Sequence, residues 1–148
     1  MAPLLTLVAG NALARLLGLL GVEALDGWWP ALRVGLALMF LLTGAAHFGL
    51  GRRAALVAMV PPRLPRPDLL VTVTGVLELA GALGLLLPVT ARLAAGCLAM
   101  LMVAMFPANY SAARRHLKLN GRPVTPLPAR TLMQLTFVAA AVAVAAGG

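Results

Sequence analysis

The sequence predicts an all-α transmembrane helical bundle, and three observations predict it. Of the 148 residues, 61% are hydrophobic and only 11% charged, far from the balance of a soluble domain. The apolar residues gather into runs long enough to cross a bilayer, which takes about 20 residues as a helix. The basic residues, which bring the net charge to +8, fall between those runs and not along one polar face. That distribution argues against nucleic acid as the partner of the positive charge. With Cys97 as the single cysteine, neither an intrachain disulfide nor a Cys/His zinc site is expected.

The first run, Pro3 to Val22, is interrupted by Asn11 and Arg15, which lie one turn apart on the same helical face. Three readings are open: a spanning helix, an interfacial helix, or a signal peptide cleaved near Val22-Glu23-Ala24. Spanning is preferred over cleavage because no Lys or Arg precedes the run and Arg15 sits inside it. Four better-formed runs follow, at Pro30 to Leu50, Asp68 to Pro88, Ala91 to Ala113 and Pro128 to Ala146. The expected organisation is a single membrane domain over 1–148. Within it, 1–29 is an extra helix with an external loop, and 30–148 is a four-helix core.

Orientation follows from the loops. Arg52, Arg53, Arg63 and Arg66 occupy one, and Arg114, Arg115, Lys118, Arg122 and Arg130 another, on the same side of the four core spans. The opposite side receives Glu23, Asp26 and Arg92, with Trp28 and Trp29 as interfacial anchors. Lys and Arg near span ends are retained in the cytoplasm, so both basic loops should face it and the C terminus should face outward. Between the second and third runs, Pro61, Pro62, Pro65 and Pro67 exclude a regular helix and predict a stiff, extended elbow. Asp68 then falls in the first turn of the next helix, where its charge complements the helix dipole. Ala91, Ala95 and Ala99, like Ala80 and Gly84, recur at four-residue spacing and predict close helix packing.

The candidate chemistry lies in polar residues inside the runs. Glu78 is the one carboxylate in the long uncharged stretch Val71 to Leu87, and such a residue ordinarily has a partner or a function. His47, reaching back toward the membrane centre from an antiparallel helix, is one partner, and His47 with Glu78 would form a proton-handling, catalytic pair. Arg15 is a competing ion-pair partner at nearly the same depth, and Arg33 a third, reaching down from the outer side. Pro107 inside an apolar helix should kink it and leave the Val103 carbonyl without its donor. Asn109, Tyr110 and Gln134, with Arg33, are the candidate ligand-binding groups, while Thr43, Thr72 and Thr74 could add hydroxyls. Each has a plainer reading: Asn109 can satisfy freed backbone groups, an Arg–Glu pair can set helix register, and Met100, Met102, Met105 and Met133 can simply fill a core. No metal site is expected. Haem held by two histidines is not expected either, because His47 alone lies within a span and His116 sits in a basic loop.

The ordered stretches Leu42-Thr43-Gly44-Ala45-Ala46-His47-Phe48, Val60-Pro61-Pro62-Arg63-Leu64-Pro65-Arg66-Pro67 and Thr74-Gly75-Val76-Leu77-Glu78-Leu79-Ala80-Gly81 resemble the DoxX family of small bacterial membrane proteins. Leu87-Pro88-Val89-Thr90-Ala91-Arg92 and Phe106-Pro107-Ala108-Asn109 extend the resemblance, which covers about residues 31–146. It implies a four-helix bundle in the bacterial cytoplasmic (inner) membrane and an association with redox systems, including quinone-linked ones. It supplies no agreed catalytic residue. Two functional expectations result. One is a redox-associated subunit whose bundle receives a quinone or similar lipid-soluble molecule, electrons coming from a protein partner. The other is a non-catalytic assembly subunit or lipid-binding module, with self-association into a homo-oligomer left open.

Overall fold

The computed structural model of the chain describes residues 1–119, 122–123 and 125–147. Five of its helices are long and apolar enough to cross a membrane: α1 (Ala2–Leu19), α2 (Trp28–Ala46), α4 (Pro67–Leu86), α5 (Ala91–Arg114) and α6 (Leu127–Gly147). A sixth, α3 (Leu50–Met59), has ten residues and is too short to span. The remaining regular structure among the described residues is a 3-10 turn at Glu23–Leu25 and a two-residue antiparallel ladder, β1 (Lys118–Leu119) with β2 (Arg122–Pro123). The chain is thus a helical bundle of the multi-pass membrane type.

The first run forms a full-length helix, and its small residues explain why it joins the bundle. Gly10, Ala14 and Gly18 recur every fourth residue and are buried. Opposite them, a Cβ added to Gly35 of α2 would lie 2.7 Å from the Leu7 carbonyl and 3.1 Å from Asn11 Cβ. The two backbones therefore approach closely along this stripe, as small residues permit in membrane bundles. α2 is the central helix, packed against α1, α4 and α6. Its Leu36, Met39 and Phe40 share the core with Leu85 of α4, Leu98 of α5 and Val144 of α6. Outward-facing Leu5, Leu13, Leu83, Leu93, Leu132 and Val142 give the bundle the apolar exterior that hydrocarbon requires.

The connections satisfy the backbone groups that helix ends leave open. At the α4–α5 turn, the Thr90 hydroxyl donates to the Gly84 carbonyl at 2.8 Å. On the opposite side, Arg53 of α3 donates to the His47 carbonyl at 3.2 Å and to Thr72 Oγ1 at 2.9 Å, tying the end of α2 to the start of α4. Arg115, just past α5, donates to the carbonyls of Ala58 and Val60 at the end of α3, where positive charge also suits the helix dipole. The two basic loops therefore lie on one side of the bundle and touch each other.

The run Pro30 to Leu50 ends as a helix at Ala46, and Arg52 and Arg53 belong to α3 and not to an irregular loop. The reason is amphipathicity: Arg52, Ala55, Leu56 and Met59 share one face at helical spacing, and that face turns toward the bundle interior. The prolines exclude a helix from 60 to 66 as expected, but the segment turns instead of running extended: the Leu64 N–H donates to the Pro61 carbonyl at 3.0 Å and Arg66 is left-handed at φ 49°, after which Asp68 lies in the first turn of α4.

Candidate functional site

α2 and α4 run antiparallel, and each carries a glycine three residues before its buried polar residue: Gly44 before His47, Gly75 before Glu78. A Cβ at Gly44 would lie 3.2 Å from Glu78 Cβ and 2.9 Å from the Leu79 side chain. One at Gly75 would lie 2.5 Å from His47 Cβ. Each polar side chain thus sits against the other helix's glycine, which is how two large groups fit between closely packed helices. Glu78 is 4% exposed and His47 5%.

Thr43 completes the group. Its hydroxyl donates to Glu78 Oε2 across 2.5 Å, and His47 Nδ1 lies 2.9 Å from the Thr43 carbonyl. A carbonyl can only accept, so this bond requires the hydrogen on Nδ1 and leaves Nε2 outside it. His47 and Glu78 lie on facing helices and are joined through Thr43, whose carbonyl meets the His47 ring and whose hydroxyl meets the carboxyl; the sequence offers Thr43 only as an additional hydroxyl.

On the far side of His47 is a cavity of about 640 Å³, walled by the start of α1 and by α2, α3, α5 and α6. Six of the chain's seven methionines line it, Met100 being the exception. Thioether side chains adapt to irregular shapes, and with Phe40 and Phe137 they make a deformable apolar wall. The polar lining includes Thr43, His47, Arg52, Asn109, Arg130 and Gln134. Glu78 is not part of the wall; it stands behind Thr43 and His47.

Three of these polar residues form a chain. Arg130 Nη1 donates to Asn109 Oδ1 at 2.7 Å, Asn109 Nδ2 donates to Gln134 Oε1 at 3.1 Å, and Gln134 Nε2 donates to the Met102 carbonyl. Met102 adjoins Val103, whose carbonyl Pro107 deprives of its usual donor, so this polar chain reaches the stretch that the proline loosens. α5 itself runs unbroken through Pro107.

Other candidates fall elsewhere. Arg15 does not reach Glu78: it pairs with Asp26 at 2.9 Å, and its guanidinium lies 5.6 Å from the Trp28 ring centroid. The cause is position, because Arg15 is near the C-terminal end of α1, where the 3-10 turn brings Asp26 back over it. Arg33 is absent from the cavity wall, being in the early turns of α2 while the cavity lies at the other end. Tyr110 is exposed, with Arg114 5.4 Å from its ring centroid, because it follows Asn109 by one residue and so points to a different face. Arg52 and Arg130, read from sequence only as topological charges, are the cavity residues that were missed. Their signal was periodicity: Arg130, Met133, Gln134 and Phe137 follow the i, i+3, i+4, i+7 pattern of one helical face.

Fold and site together define a multi-pass helical membrane protein with a polar group buried between α2 and α4 and an apolar cavity beside it. The chain belongs to the family described as "Domain of unknown function (DUF8561)", whose model matches residues 36–145. The matched region contains His47, Glu78, Asn109, Arg130 and Gln134 and leaves α1 outside. No curated protein and no solved structure matches the chain.

Proposed function

We propose that the protein is a redox-associated membrane subunit that receives a quinone or a similar lipid-soluble molecule with an oxygen-bearing head. The observation that carries this reading is the methionine-lined cavity of about 640 Å³ that has His47 in its wall. Small-molecule sites are typically about 300–1,000 Å³, mostly apolar, with a few placed polar groups. A quinone taking up electrons also takes up protons at its oxygens. His47 Nε2 would deliver them, with the Thr43–Glu78 pair behind it as the reserve. That pair can work in either direction, Thr43 donating to the carboxylate or the carboxylic acid donating to the hydroxyl. Electrons come from a separate protein, and the DoxX resemblance favours the same association. The site lies in the bacterial inner membrane, in the cytoplasmic half of the bundle.

A second reading, a non-catalytic lipid-binding or assembly module, is favoured by one observation: the cavity wall carries two arginines, Arg52 and Arg130, which proton transfer does not require. Quinone binding to the purified protein, measured beside its melting temperature, tests the proposal. His47→Ala should weaken binding by about tenfold, the value of one hydrogen bond to a buried head group. Glu78→Gln should keep both fold and binding while abolishing reduction of bound quinone by the partner. Unchanged binding in His47→Ala, or unchanged turnover in Glu78→Gln, would refute the proton-handling role.

A further inference from the structure

We infer that Arg130 recognises an anionic oxygen, so that the cavity takes an amphiphile with a carboxylate or phosphate head. The inference rests on the cavity as a site for a lipophile, and not on the redox half of the preceding proposal.

Arg130 lies in the first turns of α6, in the cavity wall, with Nη1 on Asn109 and a buried Nε that no group among the described residues accepts from. A buried charged donor without an acceptor is destabilising and invites one from outside the chain. The chain has four acidic residues, Glu23, Asp26, Asp68 and Glu78. Asp26 is held by Arg15, Glu78 is bonded to Thr43, and none of the four pairs with Arg130. Its position is set instead by neutral amides. Asn109 cannot turn its amide over without losing Gln134, and Gln134 is itself anchored on the Met102 carbonyl. The guanidinium is therefore held in place with its charge unneutralised, and Arg52 of α3 adds a second positive charge to the same cavity.

A guanidinium presents parallel N–H groups that match the paired oxygens of a carboxylate or phosphate. The rest of the lining suits a hydrocarbon tail: Phe40, Met105, Met133 and Phe137 extend from Arg130 toward the bundle centre. Arg130 is near the end of its span and the aromatic residues are deeper, so head and tail lie as they would in the surrounding leaflet.

Displacement of a neutral fluorescent lipid probe from the full-length protein in detergent tests this. The competitors are a long-chain fatty acid, the alkyl phosphate and alcohol of equal length, a neutral quinone, and inorganic phosphate. The acid and alkyl phosphate should bind at least about tenfold more tightly than the alcohol, the value of a charged hydrogen bond. Arg130→Gln should erase that preference while leaving alcohol binding intact, and Arg130→Lys, which keeps the charge, should retain part of it. The comparison of acid with alcohol on the unaltered protein needs no variant, so it decides even if Arg130→Gln does not fold. Equal affinity for acid and alcohol would overturn the inference, and binding of the neutral quinone in that case would leave the quinone proposal standing. Displacement by inorganic phosphate as effective as by alkyl phosphate would overturn the amphiphile in favour of a soluble anion. Failure of every competitor would sink the lipophile cavity along with it.

Discussion

The Thr43 hydroxyl and Glu78 Oε2 meet at 2.5 Å between two helices that glycines bring together. This bond explains how a carboxyl group can sit in the middle of an apolar span: its desolvation is offset by a hydroxyl from the neighbouring helix. It also divides labour. The group that faces the cavity is His47, and Glu78 acts on anything bound there only through Thr43 and His47.

The first prediction concerns that bond. Thr43→Val keeps the shape of the side chain and removes the donor, so it should lower stability by about 0.6–1.7 kcal/mol, the range for hydrogen bonds between membrane helices. Glu78→Gln keeps an acceptor and should lose less. In a double-mutant cycle of Thr43→Val with Glu78→Leu, unfolding in detergent should show coupling of at least about 0.5 kcal/mol. Simple additivity would mean that the hydroxyl and the carboxyl do not depend on each other.

The spans were legible in the sequence because hydrocarbon thickness imposes a length on every apolar helix, and the boundaries of α4, α5 and α6 fall within two residues of expectation. Which way each polar side chain points was not legible from depth alone. Arg15, Arg33 and His47 are all plausible neighbours of Glu78 until the rotation of each helix about its axis is known. The rotation was encoded in the glycines: Gly44 with His47 and Gly75 with Glu78 share one spacing, and only antiparallel pairing of those two faces accommodates both side chains. α3 was hidden because Arg52 and Arg53 resemble loop charges, whereas the spacing of Ala55, Leu56 and Met59 marks a helix face.

The second prediction follows from the ion pair that Arg15 does make. Arg15→Leu and Glu78→Leu should have additive effects on stability, since Arg15 belongs to Asp26 and Trp28. Coupling should appear with Asp26→Asn, and should be small, about 0–1 kcal/mol, because the Asp26 side chain is 66% exposed. Coupling to Glu78 that exceeds coupling to Asp26 would contradict the observed geometry.

The third prediction is the orientation. α3 and the elbow carry Arg52, Arg53, Arg63 and Arg66, and they meet the second basic region through Arg115, so this side should be cytoplasmic. Cysteine can be introduced at Pro62 or Ala24, both exposed and on opposite sides of the bundle, in a Cys97→Ala background. An impermeant thiol reagent on intact cells should label Ala24→Cys and reach Pro62→Cys only after the membrane is opened. The reverse pattern would invert the protein in the membrane and put the cavity on the outer side.

The last prediction separates close helix approach from helix propensity. Gly75→Ala would place a methyl group 2.5 Å from His47 Cβ and 3.0 Å from Phe48 Cε2, so α2 and α4 must part or His47 must move. Gly44→Ala would meet the Leu79 side chain at 2.9 Å, whose tip can give way more easily than a Cβ. Gly96 of α5 has nothing within 4 Å of its added Cβ. Alanine is favoured over glycine within a helix by up to about 1 kcal/mol, so Gly96→Ala should be neutral or stabilising. Overpacking costs about 1–3 kcal/mol, so Gly75→Ala should destabilise clearly and Gly44→Ala less. Thermal melts of the three variants in detergent give the order. Because only Gly75→Ala displaces His47, it should also reduce ligand binding by more than its loss of stability would suggest; three equal melting temperatures would show that α2 and α4 do not pack through these glycines.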